Sequence, residues 1–425
     1  MQVTINTLSG VQQEADIRLT NEELQPHFEE AYTKYRAKVE LKGFRKGKAP
    51  MDMIKRIYGE AIEHEALDTI ANDVFHRAMD ERTIRPLGTP SMVDMDFKRG
   101  SHVQFKVKYE VKPAVELKNY KGIAAERPIH PITDTEVEDE IQQLRKIHST
   151  TAPVDTAADD EHIITAEVQE LDETGMPLIG RKSPGMRFYL ADATLAPEIR
   201  EALRNARVSE PVTVKTLSKH GDHEHPLHLS ITPKKVEKVT LPPFDEELVK
   251  KVTRDAVSSP EEFRASMQKD LERYWIERAD GKVTDDIANE IVRTHDFPVP
   301  DAMVEVFLDS FVEEIRERSR DRQLPAGFDE KKFREERRVY AVWQAKWMIL
   351  KEQIAATEQI TVTDEDIEQL AQQEAARTGL TADTLLPHYK KSDAVKERIL
   401  SGKITAFLRE HARITDKEVQ EPREA

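Results

Sequence analysis

Hydrophobic periodicity changes character three times along this chain, and that limits the fold to a string of dissimilar modules. Val3, Ile5, Val11, Ala15, Ile17 and Leu19 alternate as strand residues do, around Ser9-Gly10. Thr20-Asn21-Glu22-Glu23 then starts a helix with a polar cap and early acids. Leu24, Phe28, Ala31, Tyr32, Tyr35 and Val39 follow at three-to-four spacing. A second helical stripe runs from about Met51 to Met79 through Ile54, Ile57, Tyr58, Leu67, Ile70, Val74 and Phe75. Pro86-Leu87-Gly88-Thr89-Pro90 breaks it, and Val103, Phe105, Val107, Tyr109 and Val111 alternate with polar residues as a half-buried strand. That strand is expected to close an antiparallel sheet with the first two, with the helices packed on it.

Residues 113–152 read as a connector. Pro113, Pro128 and Pro131 favour extended chain, and Thr133-Asp134-Thr135-Glu136 starts a helix carrying Val137, Ile141, Leu144 and Ile147. Its stripe needs a partner elsewhere, expected on the C-terminal body, and Ser149 to Pro153 reads as loop. Residues 153–240 hold short strands around Ile163-Ile164, Val168, Phe188-Tyr189-Leu190, Val212, Leu229 and Val236, with one helix at 197–207. From Leu241 the pattern is helical almost to residue 425, interrupted at Phe297-Pro298-Val299-Pro300, and Ile414-Thr415-Asp416 opens a charged tail. The expected class is α+β multidomain: 1–112 mixed, 113–152 linker, 153–240 β-rich insert, 241–425 elongated and all-helical with arms.

Charged residues make up 34% of the chain and hydrophobic residues 38%, which suits extended helical modules better than one globule. The formal net charge of −16 argues against a general DNA-binding or membrane-surface protein; an anionic partner must be met locally. With no cysteine, disulfides, thiolate metal sites and cysteine nucleophiles are excluded. Met1-Gln2-Val3-Thr4-Ile5 reads as a strand, not a signal peptide, and no apolar run reaches membrane-spanning length, so a cytoplasmic protein is expected. No phosphate-cradling glycine loop or serine-nucleophile elbow is present. His64-Glu65-Ala66-Leu67-Asp68 approaches a zinc-protease pattern but has Asp where the second His belongs, and reads as an exposed helix face. His220, His223, His225 and His228 make a dense imidazole run, read as a solvated loop without a metal. No cofactor is expected.

One stretch runs against the acidic balance. Gly43-Phe44-Arg45-Lys46-Gly47-Lys48-Ala49-Pro50 joins the two N-terminal helices, and from Lys34 to Lys48 seven cations face one acid, Glu40. An exposed aromatic flanked by cations at a loop tip can make apolar contact while the charges meet phosphates. This octapeptide resembles the ribosome-docking signature of the trigger factor family of bacterial chaperones. The resemblance extends along the chain in order. It implies that 1–112 is a ribosome-docking domain, with Gly43, Phe44, Arg45, Lys46 and Gly47 at the tunnel exit of the large subunit against rRNA and a ribosomal protein.

The 153–240 block resembles the FKBP-type prolyl isomerase insert of that family. Its active-site pattern departs where it matters: Glu167-Val168-Gln169-Glu170 stands in the place of an acid-aromatic-Thr-Gly run, and Ala196-Pro197-Glu198-Ile199 in that of Pro-Gly-Phe-Glu. Phe188 and Ile199 are the pocket remnants. The resemblance implies weak or absent isomerase activity; an active isomerase whose helical parts recruit substrate is the alternative. Phe297 to Glu305 resembles the start of the first arm of the family's C-terminal domain. It implies a cradle for unfolded nascent polypeptides, lined by Phe307, Phe311, Tyr340, Trp343, Trp347 and Met348, whose other reading is helix-packing core. It also implies a monomer–dimer equilibrium for the free chain. A periplasmic chaperone and a plain RNA-binding protein fit less well, the first for want of a signal peptide, the second for the acidic remainder.

Overall fold

Polar caps start helices at Thr20 and Thr133, as read from the sequence, and at Thr363. Thr20 accepts from the Glu23 N–H while Glu23 accepts from the Thr20 N–H, and Thr133 with Glu136 and Thr363 with Asp366 repeat the reciprocal pair. The computed structural model describes residues 1–41, 44–192, 194–220, 223–319 and 321–419. In chain order the elements are β1 (Gln2–Thr7), β2 (Gln12–Thr20), α1 (Asn21–Lys38), α2 (Met51–Glu81), β3 (Leu87–Lys98), β4 (His102–Glu110), β5 (Ala124–Ile129), α3 (Asp134–Ile147), β6 (Thr150–Val154), β7 (His162–Leu171) and β8 (Pro177–Tyr189). Then come α4 (Pro197–Leu203), β9 (Val212–His220), β10 (His223–Thr240), α5 (Glu246–Thr253), α6 (Pro260–Thr294), α7 (Asp301–Arg318), α8 (Glu330–Thr357), α9 (Asp364–Thr378), α10 (Ala382–Lys391), α11 (Asp393–Glu410) and β11 (Arg413–Glu418). The chain divides into two units, one formed by Met1–Arg127 with Asp280–Lys417, the other by Pro128–Ala279 with Glu418 and Val419.

In the first unit an antiparallel sheet runs in the order β1-β2-β4-β3. Ile17 faces Phe105 and Phe105 faces Met95, so one face of the central strands is apolar. Ala15, Ile17, Leu19, Val103, Phe105 and Val107 bury against Leu24, Phe28, Ile54, Leu67, Val74 and Phe75 of the two helices. Each of these side chains larger than Ala15 contributes about 1.5–3 kcal/mol by leaving water. The fourth strand, β3, went unread in the sequence. Leu87–Lys98 is an edge strand with two register shifts against β4, and most of its side chains are exposed, so it shows no clean alternation.

The helical part of this unit has two cores. Val283, Ile287 and Ile291 of α6 pack with Leu350 and Ile354 of α8, Ile404 and Leu408 of α11, and Ile123. Met303, Val304 and Leu308 of α7 pack with Ala341, Ala345 and Ile349 of α8. Arg334 and Arg338 of α8 reach Asp301, Glu305 and Asp309 of α7 along the outside of that hairpin. The sheet meets the helices at the start of α7. Glu110 Oε2 accepts the Ala302 N–H at 2.8 Å, an acid placed at a helix N-terminus. Gly88, at φ +65°, lies against Ala302 so closely that a Cβ there would stand 2.7 Å from the Ala302 methyl.

Residues 413–418, expected to begin a charged tail, form β11 and pair with β5 of the connector. Arg127 holds Asp416 through two bonds of 2.7 and 3.0 Å. Pairing across some 290 residues of sequence leaves no local trace in either segment.

In the second unit β6-β10-β7-β8 form a sheet in that order, with β9 also on β10. The segment at 149–153 is therefore not loop: Thr150–Val154 is the strand β6, its polar side chains exposed and its backbone paired to β10. The expected helix at 197–207 stops at Leu203. The run at 219–226 is not an open loop either, since β9 and β10 form a hairpin in which His223 faces His220. Gly221 and Asp222, and the side chains of His220, His223, Glu224 and His225, lie outside the described residues. Val137 and Ile141 of α3 bury against Leu271 of α6, while Ile147, read as part of the same stripe, is 77% exposed.

Candidate functional site

The loop between α1 and α2 is anchored at its base and open at its crown. Val39, Leu41 and Met51 pack on the core of the first unit, and Ala49 is buried within it. Phe44 N–H donates to Leu41 O at 3.0 Å, and Lys48 N–H to Arg45 O at 2.9 Å. The second bond closes a turn with Gly47 in third position at φ +77°, the angle a type II turn requires there. No atom approaches the space a Gly47 Cβ would fill closer than 4.0 Å, so backbone angle and not crowding calls for glycine. Pro50 caps α2.

Phe44, Arg45, Lys46 and Lys48 project from this frame. Phe44 is 40% exposed, and the three cations make no ion pair among the described residues. Gly43 lies outside the described residues. The site residues at 44–47 are thus brought together as one short crown carrying an aromatic ring and unneutralised positive charge.

Below the crown sits a cluster that the sequence reading missed. Glu63 of α2 is 8% exposed. It accepts from the Tyr32 hydroxyl and, through both oxygens, from Arg99 of the β3–β4 turn at 2.7 and 3.2 Å. Burial first, and then the Glu63 carboxylate, pushes the Tyr32 phenol up to about 12. Gly59 was the available signal. A glycine in mid-helix costs about 1 kcal/mol, and here it leaves room for the guanidinium, since a Cβ would stand 3.0 Å from Arg99 Nη2. His64, Glu65 and Asp68 of the near-zincin run are exposed, as expected of a helix face.

On the α7–α8 hairpin the predicted client residues join into a ladder. Phe311 stacks on Tyr340 at 5.5 Å, Tyr340 on Trp343 at 6.0 Å, and Trp343 lies 6.4 Å from Trp347. Tyr340 is 47% exposed. Phe307, Phe311 and Met348 are half-buried against the α7–α8 core, and Trp343 and Trp347 against the α6–α8–α11 core. The ladder is therefore both packing and surface.

In the insert the two pocket remnants serve the core. Phe188 is buried with Ile164, Ala166 and Leu190, and Ile199 packs on the same cluster. Tyr189 hydroxyl donates to Glu161 at 2.5 Å, and burial first, then that carboxylate, raises the phenol. Gln169, in the stretch that replaces the acid-aromatic run, donates to Glu170 O, Leu178 O and Arg181 O at 2.8–3.2 Å. It fastens the β7–β8 hairpin instead of facing a substrate. Among the described residues no helix is long and apolar enough to cross a membrane, and no group of three His, Asp or Glu is placed to hold a metal ion.

Comparison with known proteins bears on the whole chain. The family model described as bacterial trigger factor protein matches residues 1–144, and that of the trigger factor C-terminus matches 259–410. A trigger factor of Salinibacter ruber is 31% identical over 443 residues, covering 99% of this chain and 96% of that protein. One from Chlorobaculum tepidum is 29% identical and covers 99% of each. A solved structure described as showing promiscuous substrate recognition in folding and assembly activities of the trigger factor chaperone superposes with a TM-score of 0.52. It covers 96% of this chain and 99% of that one at 19% identity, which speaks to the fold alone. With two family models, near-complete coverage by relatives and a shared architecture, this chain belongs to the trigger factor family of chaperones.

Proposed function

We propose that the chain is an ATP-independent chaperone that docks beside the ribosomal tunnel exit through Phe44, Arg45 and Lys46 and shields nascent chains. The observation that carries this reading is the crown: an exposed aromatic with three cations that make no ion pair among the described residues, on a chain of net charge −16. Arg45 suits bidentate pairing with rRNA phosphate or a ribosomal carboxylate, Lys46 adds a point charge, and Phe44 supplies apolar contact. Each neutralised phosphate releases counterions, so affinity falls with salt. Changing Phe44, Arg45 and Lys46 together to Ala should abolish co-sedimentation with ribosomes and leave the circular dichroism spectrum unchanged. Retained co-sedimentation at moderate salt refutes the reading.

In this reading the ladder of Phe311, Tyr340, Trp343 and Trp347, with Phe307 and Met348, offers weak multivalent contact to unfolded segments. The insert works without appreciable prolyl isomerase activity, a view supported by the use of Phe188 and Ile199 as core packing. A protease-coupled assay on a proline peptide tests it; turnover like that of an active FKBP domain would overturn it. The division into 1–112, 113–152, 153–240 and 241–425, a cytoplasmic site of action and dimerisation of the free chain belong to the same proposal.

A further inference from the structure

Two matching rows of side chains line the groove between α1 and α2. Ala31, Tyr35 and Val39 stand at i, i+4 and i+8 on α1, and Ile62, Ala66 and Ile70 do so on α2. Together they floor an open groove of about 590 Å³. Ile62 and Ile70 are buried at its base, while the other four are half-buried and still wet. Two parallel i±4 rows form the seat into which the ridge of a third helix fits. At 1.5 Å per residue the rows run for about 12 Å, enough for two to three turns of a partner.

The rims are the adjoining rows, and they differ in sign. The α1 rim carries Lys34 and Lys38 with Glu30, and the α2 rim carries Glu65, Thr69 and Asp73. Lys34 is taken by Glu30 at 2.8 Å. Its ammonium is held above the usual range by Glu30 first, with Asp73 adding. Lys38, Glu65 and Asp73 make no ion pair among the described residues, so neither rim closes on the other. At Lys38 and Val39 the groove reaches the end of α1, where the docking loop begins.

We propose that this groove seats an amphipathic helix of an emerging client chain. The helix would set its apolar stripe on the two rows, acids over Lys34 and Lys38, and bases over Glu65 and Asp73. The mixed rims select against uniformly charged segments, and the position beside the crown makes the groove an early apolar surface for a chain leaving the tunnel. This rests on the docking reading above, and the test separates the two.

The ribosome-free arm uses the full-length protein and three fluorescein-labelled 14-residue peptides. One is amphipathic with one acidic and one basic flank, one is scrambled from the same residues, and one has both flanks acidic. Wild type should bind the first at least about tenfold more tightly than the second, the worth of one fully seated apolar side chain. Ala66→Trp fills the groove and should abolish that preference. Glu65→Lys with Asp73→Lys leaves the floor intact; it should weaken the mixed peptide about fivefold and strengthen the acidic one by a similar factor, the worth of two exposed ion pairs.

In the second arm a photo-crosslinker on Thr69→Cys, a unique thiol in this chain, should join to a nascent amphipathic helix and not to its scrambled counterpart. Equal binding of scrambled and amphipathic peptides, indifference to the rim reversal, or adducts only to a ribosomal protein or a second copy would each overturn the proposal. If the Phe44, Arg45 and Lys46 variant loses co-sedimentation with ribosomes while the peptides show no preference, the groove fails and docking stands; if the variant still sediments while the peptide preference holds, docking fails and the groove stands.

Discussion

Replacing Arg99 with Met tests whether the buried Glu63 cluster holds α2 to the sheet. Arg99 gives Glu63 two charge-assisted bonds at 2.7 and 3.2 Å, and such bonds are worth about 1.5–3 kcal/mol each when dry. The guanidinium is about half exposed, so water recovers part of that sum. Glu63 is not exposed and would keep only the Tyr32 hydroxyl as partner. Discounting the pair by about half leaves a loss near 2 kcal/mol, or roughly a 30-fold rise in opening of the α1–α2 region. Hydrogen exchange followed by mass spectrometry reads this directly: peptides from 21–38 and 51–81 should exchange faster while those from α8 and α11 keep their protection. Adding Glu63→Gln should recover most of the loss, since a neutral amide oxygen still accepts from Tyr32 and no orphan charge remains. The reasoning fails if Arg99→Met changes exchange less than about threefold, or if the double variant is worse by the sum of its parts.

Tyr32 has a raised folded-state pKa, so its contribution is complete below the unfolded value of 10.0 and is lost as pH rises through about 12. Between pH 9 and 11 wild type should lose about 1.4 kcal/mol more than Tyr32→Phe in urea titrations read through a dye on Glu60→Cys; parallel profiles would show that the phenol is not stabilised in its neutral form. Gly47→Ala meets no clash but forces a side chain onto φ +77°, which costs about 1–2 kcal/mol confined to the crown. It should weaken ribosome co-sedimentation several-fold without moving the main thermal transition. Gly88→Ala adds both a strained φ and a 2.7 Å contact with Ala302, so a loss of about 2–4 kcal/mol is expected in thermal unfolding. Ala302→Gly should restore only the steric part.

Much of this fold was legible because its signals are local. Thr20, Thr133 and Thr363 mark helix starts by chemistry confined to four residues, and the stripes they open run on uninterrupted. The crown was legible for the same reason: two glycines, a phenylalanine and three cations are contiguous. What escaped depends on relations between distant residues. β3 sits on a sheet edge with Pro90 and two register shifts, so burial never imposed alternation on it. β5 and β11 are strands only because each has the other. Thr150–Val154 is an exposed edge whose identity lies in its backbone pairing to β10. The groove between α1 and α2 lies in the alignment of two i+4 rows that the sequence separates by about 30 residues, and the Glu63 cluster joins three elements of which only Gly59 gave a hint.

The strand order of the N-terminal sheet sets a timetable. β2 ends at Thr20, but its neighbour β4 does not begin until His102. At about 5–20 residues per second of synthesis, the interval is roughly 4–16 s. During that time α1 and α2 can form from local contacts, while one edge of β2 has no strand to pair with. This chaperone must therefore pass through a stage in which its own N-terminal domain is an unfinished sheet, exposed to the hazards of an unfolded chain.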